Sequence, residues 1–142
     1  MLSPAPELTP EIAALLRRAM FPDPVRIALA LEAYRTHSDR RIFVWDVDGR
    51  PVCAAGVQLA GREAQVLHIG TRPEQAGRGH GRNLLHAVAA QLGLTRLTAE
   101  TDDDAVGFYR RSGFEVAEVA GRGGQRRYLC TLNLGETGNP GG

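Results

Sequence analysis

Three glycines, Gly77, Gly79 and Gly81, fall on alternate positions in the stretch EQAGRGHGRNLL, just before an apolar helical pattern begins. Arg78, His80 and Arg82 stand between and beside them. The first amides of a helix have no intrahelical acceptor, and the helix dipole adds about half a positive charge at that end. Glycine lets such a backbone come close to phosphate oxygens without a Cβ in the way. The combination reads as a cradle for a pyrophosphate, with a plain glycine-rich turn into a helix as the competing reading. Two familiar phosphate motifs fail by inspection. The P-loop demands a Gly-Lys pair, and all 17 basic residues of this chain are arginines. The fingerprint G-x-G-x-x-G fails because Arg82 or Leu84 stands where its third glycine is needed. The absence of lysine also removes Schiff-base and lysine general-base chemistry.

A second stretch, ETDDDAVGFYRRSGFEV over residues 100–116, puts Phe108 and Tyr109 near the end of a short helix and Gly113-Phe114 at its exit. Together, TRPEQAGRGHGRNLL and DDDAVGFYRRSGFE resemble the GNAT superfamily of acyl-CoA-dependent N-acetyltransferases, over residues 41–134. That family's signature is R/Q-x-x-G-x-G/A. Here Gly79 and Gly81 take its two small positions, Gly77 matches a common variant, Ala76 stands at the leading position, and Gln75 lies one residue early.

The resemblance implies that acetyl-CoA is the co-substrate. Its pyrophosphate would lie at Gly77, Arg78, Gly79, His80, Gly81 and Arg82, and its pantetheine arm along Ile69, Gly70 and Thr71 on the strand before the loop. Gly70 suits a β-bulge at that point. Tyr109 matches the tyrosine that protonates the departing thiolate. A phenol of pKa about 10 can serve a thiolate whose acid has a pKa of about 8.5, the more readily in a dry site. The competing role for Tyr109 is a core aromatic paired with Phe108.

A general base is harder to place. The positions where some members carry a carboxylate or histidine fall here on Gln65 and Leu67. His68 is one residue off, and strand alternation directs it to the other face. Glu100, at the end of the following strand, is a candidate of equal standing, and a water relay is the third route. The run Asp102-Asp103-Asp104 has the composition of a metal site, but a helix start favours carboxylates by itself, and no metal is expected.

The elements that must position these residues follow from periodicity. Thr9-Pro10 and Asp23-Pro24 are helix starts, giving helices over 10–20 and 24–36. Two strand-type runs, RIFVWDV and PVCAAGVQLA, meet at Asp48-Gly49, and a third strand covers 64–71, so three antiparallel strands form a meander. A helix over 80–92 closes at Gly93. A strand over 96–101, a helix over 105–111 and strands over 114–119 and 127–134 complete the order. The expected fold is α/β, a GNAT-like mixed, mostly antiparallel sheet of six strands flanked by four helices. The family's usual first strand is absent here or reduced to a few residues. An edge exposed in that way can pair with a second protomer, which makes a homodimer a candidate assembly.

A chain of 142 residues, 43% hydrophobic and 23% charged with a formal net charge of +1, fits one domain over 1–134, with a disordered tail over 135–142. This balance points to neither nucleic acid nor membrane, and with no apolar run long enough to span a bilayer a cytoplasmic protein is expected. Cys53 and Cys130 read as buried thiols. Arg26, Arg35, Arg40 and Arg41 either favour an acidic amine or are simply solvated. The expected activity is transfer of an acetyl group from acetyl-CoA to a primary amine of a small molecule or peptide, by direct attack. The alternatives are a non-catalytic acyl-CoA-binding regulatory module and, third, a nucleotide-binding regulator.

Overall fold

The structure is a computed structural model describing residues 2–4, 7–121 and 123–135. The elements run β1 (Leu2–Pro4), α1 (Pro10–Arg17), α2 (Pro24–Thr36), β2 (Arg40–Val47), β3 (Arg50–Ala60), β4 (Glu63–Thr71), a short 3-10 turn (Pro73–Gln75), α3 (His80–Leu92), β5 (Arg96–Thr101), α4 (Val106–Arg111), β6 (Glu115–Val119) and β7 (Arg127–Asn133). The strands form one sheet in the order β1-β2-β3-β4-β5-β7-β6. All neighbours are antiparallel except β4 and β5. The sheet has seven strands where six were expected. The extra strand is the three-residue β1, which pairs Leu2, Ser3 and Pro4 with Trp45, Val44 and Phe43. It is too short to carry a periodicity of its own. The tail expected over 135–142 falls, from 136 on, outside the described residues.

Local signals set most boundaries. The Thr9 hydroxyl accepts from the Ile12 amide and Asp23 accepts from the Val25 amide, each with proline at the first helical position. Helix α1 stops at Arg17, three residues short of the expectation, because Arg18, Ala19 and Met20 donate to carbonyls three residues back and tighten into a turn. At the other end of the fold, the His86 Nε2 meets the Ser112 carbonyl at 2.7 Å and ties α3 to the exit of α4.

Each sheet face has its own core. On one, Leu84, Leu85 and Val88 of α3 pack with Ala55, Val57, Val66 and Leu97. On the other, Ile12, Leu15 and Leu16 of α1 and Tyr34 of α2 pack with Ile42, Val44 and Ala54. Cys53 and Cys130 are free, fully buried thiols, one in each half of the sheet. Burial raises the Cys53 thiol to about 11, although the Thr71 hydroxyl donates to its sulfur at 3.2 Å. A thiol so held is packing, not a nucleophile. Among the described residues no helix is long and apolar enough to cross a membrane.

Candidate active site

The site is made by a departure from regular pairing. β4 and β5 run parallel from Glu63/Arg96 to Val66/Ala99, and there their pairing ends. At the same place the β3–β4 register slips, with Gly56 opposite His68 but Val57 opposite Val66, so Leu67 is the extra residue of a bulge. Beyond it the two strands diverge. The Arg72 amide donates to the Val52 carbonyl, so by alternation Gly70 also bonds β3. Ile69 and Thr71 then aim their backbone groups at the gap left by β5.

The expected bulge at Gly70 is therefore a misplacement, since Gly70 pairs regularly with Ala54. A β-carbon at Gly70 would come within 1.9 Å of the Leu15 carbonyl oxygen, so glycine is needed there because α1 lies directly on the strand. Arg72 strengthens that attachment through its contact with Glu11 of α1 and its Nε bond of 2.8 Å to the Pro51 carbonyl.

The gap opens into a cavity of about 710 Å³, lined on the β4 side by residues from Val66 to Thr71 and on the other by Glu100, Phe108 and Tyr109. The end of α1 and the chain after it contribute Arg18, Met20 and Pro22. A second cavity of about 410 Å³ lies at the start of α3, lined by Gln75, Gly77, Gly79, His80, Gly81 and Arg82. Thr71 and Phe108 line both, so the two adjoin.

The glycines divide into two kinds. Gly77 and Gly79 have φ of +78° and +80° with open space where a β-carbon would be. They turn the loop and leave its backbone bare, as an anion cradle requires. Gly81 instead sits against Phe108, whose ring a β-carbon would meet at 2.9 Å. Arg78 is exposed, lines neither cavity, and donates to the Gln75 amide oxygen at 3.3 Å. His80 Nε2 lies 3.2 Å from the same oxygen, while its Nδ1 is buried without a partner. Gln75, one residue early for the family signature, is thus the brace of the loop.

Tyr109 is 6% exposed and packs edge-on to Phe108 and Phe114, with ring centroids 5.0 and 5.2 Å away. It is thus a core aromatic paired with Phe108, and it also lines the cavity. Burial, with a smaller contribution from Cys130, holds its hydroxyl well above the ordinary tyrosine range and therefore protonated.

His68 also departs from expectation. Val66 and Ile69 face α3, whereas Leu67 packs into the α1–α2 cluster and the Tyr34 hydroxyl of that cluster lies 2.6 Å from His68 Nδ1. The bulge interrupts alternation, so His68 shares a face with Leu67 instead of opposing it. Burial, and then the nearby Arg40 charge, lower the imidazole to about 4 and keep it neutral. Glu100 is exposed at the far wall of the same cavity. Sequence reasoning missed Tyr34 as a site residue. The signal was Gly56, a glycine inside a strand that marks a close approach; a β-carbon there would fall 1.9 Å from the Tyr34 hydroxyl oxygen.

The acidic run serves structure. The Asp102 carboxylate accepts from the amides of Asp104 and Ala105 at 3.0 and 3.2 Å, and Asp103 accepts from the Tyr128 hydroxyl at 2.6 Å.

A mixed sheet splayed at its one parallel pair, with a glycine loop and helix beside the opening, defines an acyltransferase-like fold. The model of the acetyltransferase (GNAT) domain matches residues 38–116, and the chain belongs to that family. Among solved structures, a GNAT family acetyltransferase from Elizabethkingia anophelis with acetyl-CoA bound is similar at TM-score 0.70 and 17% identity, covering 94% of this chain and 97% of that one. The ribosomal-protein-S18-alanine N-acetyltransferase from Escherichia coli gives 0.69 and 21%, covering 95% of each chain. An aminoglycoside 6'-N-acetyltransferase complexed with coenzyme A gives 0.73 and 12%, covering 94% and 96%.

Proposed function

We propose that the protein transfers an acetyl group from acetyl-CoA to a primary amine of a small molecule or peptide, by direct attack of the amine on the thioester. The observation that carries this reading is the end of β4–β5 pairing at Val66/Ala99, which leaves the Ile69 and Thr71 backbone unpaired toward a cavity whose far wall holds Tyr109. The family supplies the reaction class. The similar structures include one described with acetyl-CoA and two described as N-acetyltransferases, of a protein alanine and of an aminoglycoside.

Each residue has a role in this reading. The bare backbone at Gly77 and Gly79, with the first turn of α3, holds the pyrophosphate, and Arg82 adds charge beside it. The exposed edge of β4 takes the pantetheine arm in the manner of an added strand. A backbone amide at Ile69 or Thr71 donates to the carbonyl oxygen as charge builds there, worth about 3 kcal/mol for a well-placed donor. Tyr109, protonated through burial, gives its hydrogen to the leaving sulfur. His68 or Glu100 takes the proton of the amine; both line the cavity where it must sit.

The test is an amine panel scanned for thiol release from acetyl-CoA, beside thermal shifts with acetyl-CoA, CoA and ATP. Turnover with one amine class, and stabilisation by the two CoA compounds alone, are expected. CoA-selective stabilisation without any turnover would leave a binding module, and stabilisation by ATP alone would remove the acyl-CoA reading.

A further inference from the structure

We infer that Tyr34 is the positioning residue of His68 and the exit for its proton, linking the acceptor cavity to a separate cavity lined by α2, β2 and α3. This rests on the acetyltransferase reading above. His68 lines the cavity at the β4–β5 opening, and Tyr34 does not. Tyr34 lines another, of about 750 Å³, together with Arg35, Arg40 and Arg41, the Ile42 edge of β2 and Gln91 of α3. His68 is not part of that second lining. The 2.6 Å contact between the Tyr34 hydroxyl and His68 Nδ1 therefore joins a residue that lines one cavity to a residue that lines the other.

Two features of the sheet exist to make that bridge. The Leu67 bulge turns His68 toward α2. Gly56, paired with His68 across the strands, omits the side chain that would occupy the place of the Tyr34 hydroxyl. With Nδ1 engaged by Tyr34, His68 Nε2 has no hydrogen-bond partner among the described residues, and it is not one of the buried polar atoms left unpaired among them. It is the nitrogen free to meet an amine.

The proton balance is simple. As the amine nitrogen bonds to the acyl carbon, its N–H bond breaks and an Nε2–H bond forms. The Nδ1–H bond breaks in the same relay and its hydrogen joins the Tyr34 oxygen, whose own hydrogen passes to solvent in the outer cavity. The charged groups near His68 favour passing the proton over storing it. Arg40 of β2 acts on both His68 and Tyr34, while Arg18 at the end of α1 and Glu100 of β5 share the acceptor cavity. The relay requires the tautomer in which Nδ1 carries the hydrogen and Tyr34 accepts it.

The experiment joins a spectroscopic and a kinetic readout. Ring-nitrogen chemical shifts of His68 in the unliganded wild-type protein at pH 7 are expected to report the Nδ1–H tautomer, collapsing to a mixture in Tyr34→Phe. With an amine found by the panel, single-turnover acetyl transfer in Tyr34→Phe should slow by about 10- to 100-fold, with acetyl-CoA affinity within about twofold of wild type. A proton inventory in mixed H2O and D2O should show more than one proton in flight in the wild type and one in the variant. An Nε2–H tautomer in the wild type overturns the inference without any variant. An unchanged single-turnover rate in Tyr34→Phe overturns it as well. Failure of every amine to turn over would instead strike the acetyltransferase reading, and the tautomer would still decide whether Tyr34 sets His68.

Discussion

A β-carbon built on Gly81 lies 2.9 Å from one ring atom of Phe108 and 3.0 Å from another, so the first turn of α3 and the short helix α4 touch through a glycine and an aromatic face. This contact joins the two halves of the site, since Phe108 lines both cavities. Gly81→Ala should therefore act as overpacking, costing about 1–3 kcal/mol. That corresponds to about 3 °C in Tm for each kcal/mol in a domain of this size. Phe108→Leu removes the ring edge, and the double variant should recover much of the loss. Additive melting temperatures in the four-way cycle would show that Gly81 answers to something other than Phe108.

Gly79 makes a contrasting case because the space around it is open and only its φ of +80° is demanding. Gly79→Ala should cost about 1 kcal/mol of backbone strain and leave the fold intact. Gly79→Asp adds the same strain plus a negative charge in the anion cradle. At about 2–3 kcal/mol of repulsion in a partly screened site, acetyl-CoA should bind on the order of 100-fold more weakly. Isothermal titration of both variants separates strain from charge, and equal affinities would move the pyrophosphate away from this loop.

Tyr109→Phe tests the proposed acid with little structural disturbance, because the two aromatic contacts at 5.0 and 5.2 Å survive the loss of the hydroxyl. Turnover should fall by about 100-fold with acetyl-CoA affinity unchanged. Burial raises the Tyr109 pKa above the free value of about 10, so the protonated form persists through the whole alkaline range of an ordinary assay. The wild-type kcat should accordingly show no loss assignable to this group below about pH 10. Full activity in the variant would take the proton-donor role from Tyr109.

Much of this architecture could be read from local signals, and the failures at the site share one cause. Helix α2 begins at Asp23-Pro24 and α3 ends at Gly93 as their capping residues dictate, because caps act within a few residues of sequence. The glycine turn into α3 and the short helix that carries Tyr109 were legible for the same reason, each being a compact stretch of sequence. What local pattern could not supply was partnership across the fold. Strand alternation placed His68 on the wrong face because the bulge at Leu67 is defined only by where β3 pairs. Gly70 was explained by a bulge when the cause was the Leu15 carbonyl, some fifty residues earlier in the chain. Tyr34 lies inside the helix read over 24–36 with no local signal to mark it, although its hydroxyl ends beside His68. Interior glycines at 56, 70 and 81 each mark a close approach, but the sequence alone does not say what approaches.

The depressed His68 pKa gives a prediction that is independent of catalysis. In the folded protein it is lowered to about 4 from the ordinary histidine value of 6.5, with burial the larger cause and Arg40 the smaller. A group that protonates more easily in the unfolded chain contributes stability that is complete above the unfolded pKa and is lost as pH falls through the folded one. The melting temperature should therefore decline between about pH 6.5 and 4, beyond what the carboxylates impose at the acid end. His68→Gln cannot charge and should flatten that part of the curve while melting lower at neutral pH, where the contact with Tyr34 is lost. Tyr34→Phe should leave the decline in place, because burial and Arg40 persist without the hydroxyl. Thermal melts of the three proteins at half-unit pH intervals decide the matter. A wild-type curve that runs parallel to that of His68→Gln from pH 6.5 to 4 would mean that the imidazole is not held neutral by its surroundings.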